Sequence, residues 1–297
     1  MRFLLSLITI IALSFGLSAN LSDIEPLFNR LDSVINYQDK YRKQKLAKID
    51  DIKRAGKNML TLEEQYWHNR RLYDEYFVFN ADSAMHYVDK NLNISRLMGN
   101  KDRENEWKIN RSFVLTVLGQ LKDANDELSS IDPATLSKDI ISNYYSQKAY
   151  LYSHLGQLSD YRTEGTDTYF DRSHAYEDST FITMAPDSPL YLWHKALSKF
   201  GYPDDSGEVM NELHAALDSA ALDSRFDAMH AYALAHLYSE RGDELNHIKY
   251  LILSGIADVR IDNRDIASLE ELSSILLDKG DIDRAYNYVD ILNKLTP

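Results

Sequence analysis

The chain has 297 residues, 44% hydrophobic and 27% charged, the proportions of an ordinary globular protein. Its formal charge of −13 argues against a general affinity for nucleic acid or anionic membranes, so no direct nucleic-acid partner is expected. The absence of cysteine excludes disulfides, thiolate nucleophiles and zinc–thiolate sites, and the few Gly (11) and Pro (6) residues favour long helices over a turn-rich β fold.

Residues 1–19, MRFLLSLITIIALSFGLSA, combine basic Arg2, an apolar run from Phe3 to Leu13 and small residues at Ser18-Ala19. That is the pattern of a cleavable signal peptide. Export to the periplasm is the expectation, with no membrane span left after cleavage. The alternative is an uncleaved anchor in the inner membrane, because the run lies near the short end of what spans a bilayer. From Leu21 to Ala55, Ile24, Leu27, Leu31, Val34, Tyr41, Ile49 and Ile52 form one stripe at helical spacing. The spacing predicts a single long helix, on the order of 50 Å, within an N-terminal element at 20–58. Its basic middle, Lys40 to Lys48, reads as a face paired with acidic residues of the array behind it, or as a docking patch for an acidic partner.

Leu62 to Gly99 reads as two amphipathic helices with a turn at Phe79-Asn80-Ala81-Asp82-Ser83. Asn80 is expected to end the first in a left-handed conformation and Asp82 to cap the second. One such hairpin cannot cover its own apolar face and requires neighbours of the same kind. The sequence supplies them. Leu118-Gly119, Leu155-Gly156, Phe200-Gly201, Arg241-Gly242 and Lys279-Gly280 each close a helical run, and with Asn80 they recur at intervals of 37 to 45 residues. Seven residues before four of these glycines stands a small residue (Ser112, Ala149, Ala235, Ser273), and four before stands a large one (Leu115, Tyr152, Tyr238, Leu276). Ala124 and Ala285, five after their glycines, suit a close helix crossing.

This code resembles the tetratricopeptide repeat over about residues 62–293, as five or six helix pairs. The resemblance implies an all-α, right-handed superhelical solenoid occupying 59–297. Two units depart from it. The second helix after Gly156 is polar and interrupted by Gly165, and the unit at Gly201 has His194 in place of the small residue and is bracketed by Pro186, Pro189 and Pro203. The blocks at 31–53, 69–92 and 253–289 look like a family of Bacteroidetes membrane-bound regulators. Those proteins place a periplasmic tetratricopeptide array before a membrane span and a cytoplasmic output domain. The sequence stops at Pro297, so the resemblance implies the sensing segment alone, as a truncated regulator or a stand-alone repeat protein.

No phosphate loop, dinucleotide fingerprint, nucleophile elbow or zinc-protease motif occurs. His230 and His236 are six apart on one predicted helix and point to different faces, so no metal or cofactor is expected. Adjacent carboxylates such as Glu270-Glu271 diverge by about 100° on a helix, a poor geometry for sharing a proton. The chain therefore reads as non-catalytic. What remains is recognition of a protein, peptide or glycan partner. Of 20 tyrosines, many crowd into 143–176. Tyr144, Tyr145, Tyr161, Tyr169 and Tyr176 are candidate ligand contacts, since tyrosine offers apolar area and a hydroxyl at little entropic cost. Asn110 matches one position of a peptide-carboxylate clamp, although Gln147, Ala233 and Glu271 occupy the equivalents. A free-standing periplasmic scaffold is the alternative function, and a helical-repeat enzyme acting on glycans a third.

Overall fold

A computed structural model of the chain describes residues 21–158, 166–218, 220–263 and 267–295. The expected signal peptide, Gly165 and Tyr161 lie outside these residues. The described residues hold α-helices and short 3-10 turns and no strand. In chain order the helices are α1 (Glu25–Asn36), α2 (Gln38–Ala55), α3 (Leu62–Tyr76), α4 (Ala81–Leu97), α5 (Lys101–Val117), α6 (Leu121–Ser129) and α7 (Lys138–Leu158). They continue as α8 (Thr166–Thr183), α9 (Tyr191–Leu197), α10 (Gly207–Asp218), α11 (Arg225–Glu240), α12 (Glu244–Arg260), α13 (Ala267–Asp278) and α14 (Ile282–Leu295). Residues 43–198 form one compact unit; residues up to 42 together with 199–297 form a second.

Local chemistry sets the helix boundaries. Thr61 and Glu64 start α3 by reciprocal capping: the Glu64 N–H donates to the Thr61 hydroxyl at 3.2 Å and the Thr61 N–H to the Glu64 carboxylate at 2.9 Å. Asn80, not Asp82, caps α4, accepting the Ser83 N–H at 2.8 Å, and its backbone is extended (φ −155°) instead of left-handed. Gly119 ends α5 at φ +72°, and the following Gln120 N–H reaches back to the Leu115 carbonyl at 2.9 Å. This doubled-back bond satisfies a carbonyl the helix leaves free, and it needs a left-handed residue. The same bond closes α4 at Gly99, α11 at Gly242 and α13 at Gly280; at the end of α12 Asp262 takes the glycine's place at φ 53°.

Gly156 departs from the reading above. It lies inside α7, where a Cβ would stand 2.8 Å from the ring of Phe170 on α8. Its role is steric: it lets two helices touch.

In the unit of residues 43–198, α3 packs on α4, α4 on α5, α5 on α6 and α7, α7 on α8, and α9 on α8. The tetratricopeptide signature of a small residue facing an alanine is visible where the Ser112 hydroxyl donates to the Ala124 carbonyl at 3.0 Å, both residues being fully buried. Fully buried Trp107 meets Tyr66 and Tyr73 edge-on, with centroids 6.1 and 5.1 Å away.

In the other unit α12 is the central helix, packed by α11, α13 and α1. Gly255 admits Leu269 and Leu31 to its backbone. Helix α1 buries Phe28, Leu31 and Val34, and polar bonds latch it to α14. The Tyr288 hydroxyl donates to Asp32 at 2.9 Å, and Arg284 pairs with Glu25 while lying 4.5 Å over the Phe28 ring. The single long helix expected at 21–55 is divided at Tyr37, where the Lys40 N–H bonds three residues back to the Tyr37 carbonyl. Part of the basic stretch of α2 is paired locally. Lys45 and Lys48 pair with Glu75 at 2.9 and 2.6 Å, and Arg42 reaches Asp262 at 3.5 Å. No helix among the described residues is long and apolar enough to cross a membrane.

Candidate functional site

Five tyrosines of residues 143–176 form a connected row on α7 and α8, while Tyr150 packs instead against Phe113 and His154. Tyr144 meets Tyr145 edge-on at 5.6 Å; Tyr145 stacks on Tyr176 at 6.2 Å, and Tyr176 on Tyr152 at 5.5 Å. Tyr152 continues the row to Tyr169 at 6.2 Å. Helical spacing explains the assembly: 145 and 152 are two turns apart on α7, as 169 and 176 are on α8, so the rings of the two helices interleave. Tyr144 is buried, whereas Tyr145, Tyr152, Tyr169 and Tyr176 keep part of their faces exposed. Asn110, half-buried on α5, is joined to none of them by a side-chain hydrogen bond among the described residues.

Two cations border the row, and neither stood out in the sequence. The Arg172 guanidinium lies 5.6 Å over the Tyr152 ring. Lys148, one turn from both Tyr144 and Tyr152, is only 6% exposed and lies 5.8 Å over the Tyr144 ring. Burial pulls its ammonium below the ordinary lysine range. Burial also pushes the Tyr144 hydroxyl up to about 12, helped by its tyrosine neighbours. The row thus presents hydroxyls and ring faces beside a desolvated lysine. Such a surface offers ring faces for stacking and hydroxyls for hydrogen bonding.

His194, the residue in place of the expected small one, ties three helices together. Its Nε2 lies 3.3 Å from the Ser146 hydroxyl on α7 and its Nδ1 3.0 Å from the Glu177 carboxylate on α8. The Ser–His–Glu order is that of an acyl-transfer triad. However, Ser146 sits mid-helix, where the surrounding N–H groups are spent on α7 itself and cannot form an oxyanion hole. Buried at 3% exposure, His194 is a structural bridge.

The second unit contains a histidine cluster of its own. His236 and His247 both approach Glu271, at 3.8 and 2.9 Å. Burial holds the His236 imidazole below its ordinary range. Among the described residues no group of three or more His, Asp or Glu side chains is arranged to hold a metal ion.

A family model described as the SusR N-terminal TPR domain matches residues 35–292. No curated protein matches the chain.

Proposed function

The chain belongs to the family of SusR N-terminal TPR domains, and from that premise we propose that it is the periplasmic sensing segment of a membrane-bound transcriptional regulator. It recognises its ligand without chemistry, through the tyrosine row of α7 and α8. Membership supports a role in protein interaction or regulator sensing. The observation that carries the finer reading is the row itself. Four tyrosines stay partly exposed in the least regular helix pair, where a repeat under packing constraints alone would carry aliphatic residues. Stacked rings that carry hydroxyls suit a peptide or glycan. Export rests on the signal-like residues 1–19.

Titration of the mature chain against panels of short peptides and neutral oligosaccharides tests the reading. Saturable binding that Tyr145→Ala and Tyr176→Ala each weaken supports it. Binding unaffected by both changes removes the row from recognition. Cell fractionation tests the placement: release by osmotic shock with no membrane-bound partner favours a free-standing scaffold over a regulator.

A further inference from the structure

A cleft of about 480 Å³ opens among the end of α2, α3 and α4, within the unit of residues 43–198. In a chain of net charge −13, no Asp or Glu among the described residues lines it. Three exposed lysines do: Lys53 on α2, Lys57 just beyond it and Lys90 on α4. Lys45 and Lys48, upstream on α2, are both neutralised by Glu75, whereas the three cleft lysines form no ion pair with a carboxylate among the described residues. Aromatic rings hold two of them instead. The Lys53 ammonium stands 5.5 Å over Tyr76 and that of Lys90 5.3 Å over Tyr87, and these two rings stack at 5.7 Å. A ring face positions a cation without cancelling its charge.

The rest of the wall fits the same chemistry. Gln65 and Asn93 contribute amides, and Leu72 and Ile94 an apolar floor. The His68 imidazole covers Gly56 so closely that a Cβ there would come within 2.2 Å of the ring. Burial, with Arg71 and Lys90 nearby, holds that imidazole below its ordinary range, so at neutral pH it presents one N–H donor without charge.

We infer that this cleft binds a small organic anion bearing a phosphate or sulfate ester. Three ammonium groups on separate elements, none held in an ion pair among the described residues although Asp50 lies near enough to act on Lys53, surround a multivalent oxoanion better than a single carboxylate. The volume lies in the range of small-molecule sites, and the amides and apolar floor accept the uncharged remainder of the ligand. The cleft shares no residue with the tyrosine row, so it stands apart from the function proposed above.

Calorimetric titration of the mature chain at low salt tests this, with glucose 6-phosphate, glucose 6-sulfate, glucose, inorganic phosphate and a hexaglutamate peptide as probes. Saturable binding of an ester but not of glucose is expected. Lys57→Glu and Lys90→Glu should each raise the Kd about tenfold or more, while Lys122→Gln, at an exposed lysine of α6 that does not line the cleft, leaves it unchanged. Both lysines are exposed, and Lys57→Gln and Lys90→Gln provide milder versions should either reversal disturb folding. The inference is overturned if neither ester saturates, if inorganic phosphate binds and the esters do not, or if the lysine variants bind as wild type does. Tighter binding of hexaglutamate than of either ester also overturns it, since the cleft would then be a groove for acidic peptide.

Discussion

In the pair α11–α12 the chain reverses at Gly242, and α12 buries Ile248, Leu251, Ile252 and Ile256. In the pair α7–α8 the first helix runs on through Gly156, and the residues α8 buries include Ser173 and Thr180. One pair is held by aliphatic burial behind a left-handed turn. The other is held by the Gly156–Phe170 contact, the tyrosine row and a hydroxyl bond from Ser173 to the Ala149 carbonyl at 2.8 Å. A repeat scaffold can thus exchange an apolar seam for rings and hydrogen bonds, which already present the groups a ligand would need.

The two uses of glycine are separable by mutation. Gly156→Val should have the largest effect, about 2–3 kcal/mol of lost stability in urea unfolding, because the new methyl groups meet the Phe170 ring. Adding Phe170→Ala should recover part of that loss, the signature of a steric origin. Gly119→Val should cost about 1–2 kcal/mol through backbone strain alone. No trimming of a neighbour should recover it, since nothing among the described residues lies within 4 Å of a Cβ there. If Phe170→Ala fails to help Gly156→Val, the contrast between the two glycines collapses. At about 1 kcal/mol each, Asp243→Ala removes the cap of α12, whose carboxylate accepts the Asn246 N–H at 3.1 Å, and Ser173→Ala removes the bond between α7 and α8. Equal losses would show that the polar pair is held no more loosely than the regular one.

The same contrast marks what the sequence makes legible. Helix pairing, the glycines at 119, 242 and 280 and the buried Ala124 and Ala285 follow from local spacing, because turn and crossing are decided within one repeat. Gly156 could not be told from its counterparts: its reason is Phe170, on the next helix. Asp262 escapes a search for glycine although it occupies the same turn position. Nothing local places α1 against α14, since Asp32 and Tyr288 stand at opposite ends of the chain. The tyrosine row was visible as composition, but its order, and the addition of Lys148 and Arg172, depend on how two helices interleave. The lysine cleft was invisible, because Lys53 and Lys90 are unremarkable surface residues until α2 and α4 are brought together.

The smallest effect under ordinary conditions concerns two tyrosines, one from each pair. Burial pushes the hydroxyls of Tyr144 and Tyr250 up to about 12. An unfolded chain releases those protons near pH 10. At each site stability is therefore undiminished below pH 10 and falls as pH rises from 10 through 12, because the folded chain holds a proton that the unfolded chain has released. The two differ in partners. Tyr250 shares a 2.9 Å hydrogen bond with His214, while the Tyr144 hydroxyl makes none among the described residues. Tyr144→Phe should therefore match wild type at pH 8 and lose less stability by pH 11. Tyr250→Phe should already be weaker at pH 8, by about 1 kcal/mol for the missing hydrogen bond, and also flatter above pH 10. Urea unfolding at both pH values separates the two profiles. A wild-type stability that does not change between pH 9 and pH 11 would mean that neither hydroxyl is as well buried as the packing of its pair requires.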